Sequence, residues 1–171
     1  MKCQPNRNYI SNDKVMTPEP LARALVQYFR PSGRGLEPCR GTGNIWQYLE
    51  NADWCEIDEG LDFFNYSNKV DYIFTNPPWW QIREFMNHAM EIADEIYFLL
   101  TINHVWTKAR LRDIKKAGFG LREICIFDSP KTFPQTGFQL GMVHLSRNYC
   151  GDIKLGELQY ENKGIMENNN D

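Results

Sequence analysis

The sequence is short of histidine, has no cysteine pair at metal-binding spacing and has no stretch that could cross a membrane. Histidine occurs only three times, and the five cysteines (Cys3, Cys39, Cys55, Cys125 and Cys150) are scattered, odd in number and without a Cys-x-x-Cys pair. Such spacing points to neither a zinc site nor a disulfide framework, so no metal is expected and reduced thiols in a cytoplasmic protein are the simple reading. The longest apolar run, Ile96 to Leu100, is far short of the roughly 20 residues a membrane helix needs. The amino-terminal Met1-Lys2-Cys3-Gln4-Pro5-Asn6 lacks the apolar centre of a secretion signal. A membrane partner is therefore not expected. Strong positive charge is also missing: 19 Lys and Arg against 22 Asp and Glu leave a net charge of −3. That excludes a uniformly basic coat for nucleic acid but leaves room for a local basic face.

What is present fits one compact domain. The 171 residues are 42% hydrophobic and 24% charged, ordinary values for a globular chain. A single domain over 1–160 is expected, with residues 1–15 as a polar arm and the acidic, Asn-rich 161–171 as a frayed tail. Thr17-Pro18-Glu19 reads as a helix start with Thr17 as cap, and Leu21, Leu25 and Phe29 then recur at helical spacing before Pro31-Ser32-Gly33. A short strand over 35–38 enters a glycine turn, after which Ile45 and Leu49 suggest another helix. Strands are expected at 54–57, 70–75, 96–100, 121–127 and 140–145. Ile82, Phe85, Met86, Ala89 and Ile92 outline an amphipathic helix, and a further helix spans about 105–116 and closes at Gly118. Strands alternating with helices imply an α/β domain around a mostly parallel sheet.

Two segments carry chemistry. Leu36-Glu37-Pro38-Cys39-Arg40-Gly41-Thr42-Gly43 is a strand running into a loop with two glycines, where backbone can approach a ligand at the carboxyl end of a sheet strand. Alone, such a turn serves equally well to reverse the chain. Asp71-Tyr72-Ile73-Phe74-Thr75-Asn76-Pro77-Pro78-Trp79 is a strand that ends in an amide, two prolines and an aromatic ring. Proline stops a strand, which explains one proline but not the set. An aromatic exocyclic amine is a poor nucleophile, because its lone pair is delocalised into the ring. A side-chain amide oxygen and a fixed backbone carbonyl can accept both of its N–H groups and favour a pyramidal nitrogen. The prolines stiffen the backbone that aims the carbonyl, and a flat ring beside them can stack on a base.

These segments resemble the S-adenosylmethionine-dependent amino-methyltransferases, and especially the N6-adenine DNA methyltransferases. Glu37, Pro38, Gly41 and Gly43 fall in what resembles their cofactor loop, and Asn76, Pro77, Pro78 and Trp79 in what resembles their catalytic tetrapeptide. Met16-Thr17-Pro18-Glu19-Pro20-Leu21-Ala22 is similar to the segment that closes over the methionine part of the cofactor, which would place Thr17 there. The three pieces come in the family's order, and the match as a whole spans roughly residues 14 to 147, most of the chain. The resemblance implies a single Rossmann-like class I methyltransferase domain that transfers a methyl group directly to the N6 amino group of adenine in DNA. It further implies that Glu56, with Asp58 in reserve, meets the cofactor ribose. Asp62 would meet the amino group of its adenine and Phe63 would flank it, and Trp79 and Phe133 would sandwich the target base after it leaves the duplex. A Phe packed under a surface loop remains the other reading of Phe133.

One departure is plain: only Glu59-Gly60-Leu61 separates Asp58 from Asp62, too little for the helix that family members carry between the second and third strands. The sheet is therefore expected to be reduced there. Room for a target-recognition region is also lacking, so a specificity-providing protein partner is one expectation, besides nucleic acid itself. Protein glutamine, RNA base amino groups and a non-catalytic nucleic-acid-binding subunit stay open as alternatives. The basic run Lys108, Arg110, Arg112, Lys115 and Lys116 is a solvated helix face or a phosphate contact. Asn103 and His104 are expected near the pocket without an assigned role.

Overall fold

The computed structural model describes residues 14–105 and 107–161. The polar arm and the frayed tail expected from the sequence fall mainly on residues outside these. Three layers form, because strands β3 (Val70–Thr75), β4 (Ala93–Thr101) and β6 (Leu140–Arg147) alternate apolar side chains onto both faces of one sheet. Tyr72, Phe74, Tyr97, Leu99 and Met142 pack with Leu21, Leu25 and Val26 of helix α1 (Glu19–Phe29). Ile73, Ile96, Phe98, Leu100 and Val143 pack with Phe85, Met86 and Ala89 of α2 (Ile82–Ile92), and with Ile114 of α3 (Lys108–Lys116).

With β1 (Gly35–Glu37), β2 (Ala52–Trp54), β5 (Phe119–Ile126) and β7 (Lys154–Glu157), the sheet has seven strands in the order β2-β1-β3-β4-β6-β5-β7. Only β6 runs against the rest: it pairs antiparallel with β4 and β5, and the other pairings are parallel. The expected reduction is present. β2 is an edge strand, and between it and β3 lie only two single 3-10 turns, Ile57–Glu59 and Phe63–Asn65.

Four local expectations need correction. Thr17 does not cap α1; Pro18 stands at the cap with extended backbone and no side-chain cap bond. The helix expected around Ile45 and Leu49 is one 3-10 turn, Trp46–Tyr48, since Leu49 is already extended. β2 stops at Trp54, and Ile57 belongs to the following turn. β7 has no counterpart among the expected strands: Lys-Leu-Gly-Glu carries one buried position and no apolar alternation.

Candidate active site

Parallel strands β1 and β3 end side by side, with Leu36 in register with Ile73, so the loops after them meet at the carboxyl edge of the sheet. There a cavity of about 780 Å³ opens, lined from the loops after β1, β2 and β3, from α2 and from residues 14–17. Of the residues singled out in the sequence, it brings together Thr17, Glu37, Pro38, Gly41, Glu56, Asp58, Asp62, Phe63, Asn76 and Pro78. Gly43, Pro77, Trp79 and Phe133 are not among its lining residues. Gly43 serves the turn instead, with φ of 83° and its N–H donated to the Arg40 carbonyl at 2.8 Å.

The cavity wall holds unpaired polar atoms. Glu37 is 2% exposed and its Oε2 has no hydrogen-bond partner among the described residues; the buried Thr17 Oγ1 has none among them either. Burial pushes the Glu37 carboxyl well above the usual carboxylate range, and the Trp46 N–H and the Arg40 guanidinium offset only part of this. A buried carboxylate oxygen and a hydroxyl without partners are the kind of groups a bound ammonium and carboxylate would satisfy.

Glu56 ties the loops together. One of its oxygens accepts the Gly41 N–H at 2.6 Å and the other the Asp58 N–H at 3.2 Å. Lone pairs remain on both oxygens for further donors. Asp58, the reserve, is ion-paired with Lys14 at 2.6 Å. Asp62 accepts the Phe64 N–H at 3.0 Å. Phe63 is buried against Phe85, ring centroids 4.7 Å apart, and both rings line the cavity. Arg40 stacks its guanidinium 3.8 Å from the Trp54 ring and pairs with Glu59.

Asn76 follows the last residue of β3. Its Nδ2 donates to the Val15 carbonyl at 2.9 Å, while Oδ1 has no donor among the described residues. The Pro77 carbonyl likewise accepts no hydrogen bond among them, whereas that of Pro78 takes the Gln81 N–H at 3.1 Å and closes a 3-10 turn. That turn divides the two tryptophans. Trp79 points inward, its Nε1 donating to the Leu99 carbonyl at 3.2 Å, and Trp80 is 65% exposed at the cavity mouth.

Phe133 is 3% exposed, packed in the α1-side core, with its ring centroid 6.3 Å from Trp79 at 43°. At that separation the two rings touch each other, so no base lies between them in this arrangement. His104 sits 6.3 Å from Trp79 and outside the cavity lining. Burial first, and Arg110 second, hold it below the usual histidine range. Of the basic run, Lys108, Arg112, Lys115 and Lys116 are exposed and Arg110 is half-buried.

Lys14, Trp80 and Phe85 line the cavity but are given no place in the site by the sequence. The doubled Trp79-Trp80 is the one available signal.

Neither a protein-family model nor a curated protein matches the chain in sequence. Solved structures do match in shape. A Listeria monocytogenes protein assigned to the class I S-adenosylmethionine-dependent methyltransferases superposes with a TM-score of 0.64 and 15% identity, over 88% of this chain and 68% of that one. The fold is that of a class I methyltransferase. A Pyrococcus horikoshii protein assigned as an RNA methyltransferase gives 0.58 and 16% identity, over 75% of this chain and 82% of that one. The M protein of the type I restriction enzyme EcoKI gives 0.60 and 12% identity, over 81% of this chain but 45% of its own length.

Proposed function

We propose that the protein is an S-adenosylmethionine-dependent methyltransferase acting on the N6 amino group of adenine in DNA. The observation that carries this reading is a pair of acceptors after β3, Asn76 Oδ1 and the Pro77 carbonyl, next to a cavity whose wall holds the buried Glu37 Oε2 and Thr17 Oγ1, all four without a donor or other partner among the described residues. Two acceptors match the two N–H groups of an amino substituent. Glu37 would hold the cofactor's ammonium and Thr17 its carboxylate. Glu56 would accept from the ribose, and Phe63, Phe85 and Asp62 would hold the adenine. A volume of this size suits one such ligand. When bound, the cofactor supplies a methyl group on a positively charged sulfur that leaves as a neutral thioether. The chain's own part is to orient the acceptor nitrogen, so its lone pair faces that methyl, and to keep its N–H groups hydrogen-bonded while the N–C bond forms; the positively charged nitrogen then sheds one of its two protons to water. Trp79 and Phe133 would take the base between them, which requires their rings to separate.

The test is transfer of labelled methyl from S-adenosylmethionine to unmethylated duplex DNA, single-stranded DNA, RNA and protein in parallel. Label recovered as N6-methyladenine from DNA supports the reading. Label on RNA alone or on glutamine alone replaces the substrate, and cofactor binding with no transfer to any of them replaces the enzyme with a binding subunit.

A further inference from the structure

A side-chain amide has a nearly two-fold last torsion, so either its oxygen or its nitrogen can face a given direction. Nothing in Asn-Pro-Pro-Trp chooses between them. The choice is made 61 residues upstream, where the Val15 carbonyl takes the Asn76 Nδ2 proton at 2.9 Å. A carbonyl only accepts, so this contact admits the state with nitrogen toward Val15 and directs Oδ1 away from it. The segment that carries Val15 is anchored on both sides. Lys14 pairs with Asp58 at 2.6 Å, and the Thr17 carbonyl accepts Asn44 Nδ2 at 2.8 Å. Met16 lies so close to Gly41 that a Cβ there would stand 2.6 Å from its sulfur. Gly41 has φ of 53°, so its backbone and its missing side chain both serve this approach.

We propose that the Val15 carbonyl is a positioning group, which locks the Asn76 amide so that it presents an acceptor, and never a donor, to the substrate. The proposal rests on the methyltransferase reading and adds to it a rule of selection. A locked acceptor favours a base with an amino group at the reacting position. It opposes one with a keto oxygen there, which would meet Oδ1 lone pair to lone pair. A flipped amide would do the reverse. Residues 14–17 thus set substrate polarity as well as closing one side of the cavity.

The experiment uses the full chain and the substitution Asn76→Asp. When ionised, the carboxylate that this substitution introduces faces the Val15 carbonyl with an oxygen, acceptor against acceptor. Only its protonated form can keep the contact by donating its O–H, leaving the second oxygen for the substrate. Transfer by the variant relative to wild type should therefore rise as pH falls from 8 to 5, by up to about tenfold per pH unit above the carboxyl's own pKa. A ratio that is flat, or that grows with pH, overturns the proposal. The wild-type chain labelled with 15N gives a readout independent of transfer. One Asn76 side-chain amide proton should exchange slowly with solvent, and two rapidly exchanging protons would contradict the contact. A wild-type chain that moves no methyl to DNA, RNA or protein would overturn the methyltransferase reading instead, with the amide-proton result still deciding whether Val15 holds Asn76.

Discussion

Glu56 accepts the backbone N–H of Gly41 at 2.6 Å, so the carboxylate after β2 buttresses the turn after β1. This bond fixes the floor of the cavity before any ligand arrives. Replacing Glu56 with Ala should cost about 1–3 kcal/mol of stability, as for a charge-assisted bond whose N–H is left unpaired, read from urea denaturation. If Glu56 holds the ribose as proposed, Glu56→Gln should keep more of that stability and still weaken cofactor binding on the order of tenfold, because the ribose would lose a charged acceptor. Unchanged affinity in both variants would remove Glu56 from the cofactor site.

Glu37 makes a prediction about pH. Burial raises its folded-state pKa above the unfolded value, so between those two values the native state binds more protons than the unfolded one. Stability without ligand should then fall as pH rises from the ordinary glutamate range toward the raised value. Glu37→Gln should flatten that slope in thermal melts across pH. A cation bound beside Glu37 favours its ionised form, so binding of S-adenosylmethionine should release a proton within the same window and tighten as pH rises. Calorimetry in two buffers of different ionisation heat measures that release, which Glu37→Gln should abolish.

Burial separates the aromatic residues of the site. Phe133→Ala should destabilise the fold by about 3–5 kcal/mol, as for deletion of a core phenylalanine, because its ring is 3% exposed. Trp80→Ala should stay within about 0.5 kcal/mol of wild type, since that ring is 65% exposed. Chemical denaturation of the two variants checks both values.

Much of this is legible in the sequence, and the reasons differ by element. Val70–Thr75 can be read with its bounds intact, because it is a β-rich run stopped by Asn76-Pro77-Pro78. Helix α2 follows from Ile82, Phe85, Met86, Ala89 and Ile92, the face it buries. The turn at Trp46–Tyr48 is easily overread as a helix, because Ile45 and Leu49 have helical spacing while Leu49 in fact extends toward β2. Thr17 has the sequence context of a cap, but Pro18 takes that place and leaves the hydroxyl buried and unpaired in the cavity wall. The contact of Asn76 with Val15 is invisible in the sequence, since it uses a main-chain carbonyl that every residue type carries. For Phe133 the sequence offers a stacking ring or a ring packed under a surface loop, and the structure buries it among Phe127, Leu140 and α1.

The measurement that bears most directly on the central claim is methyl transfer to unmethylated DNA by wild type and Asn76→Ala, with cofactor affinity measured alongside. The account predicts N6-methyladenine from the wild type, a loss on the order of 10²–10³ in rate for the variant, and little change in cofactor affinity. Equal rates in the two proteins, or no transfer by a wild type that binds the cofactor, would contradict it.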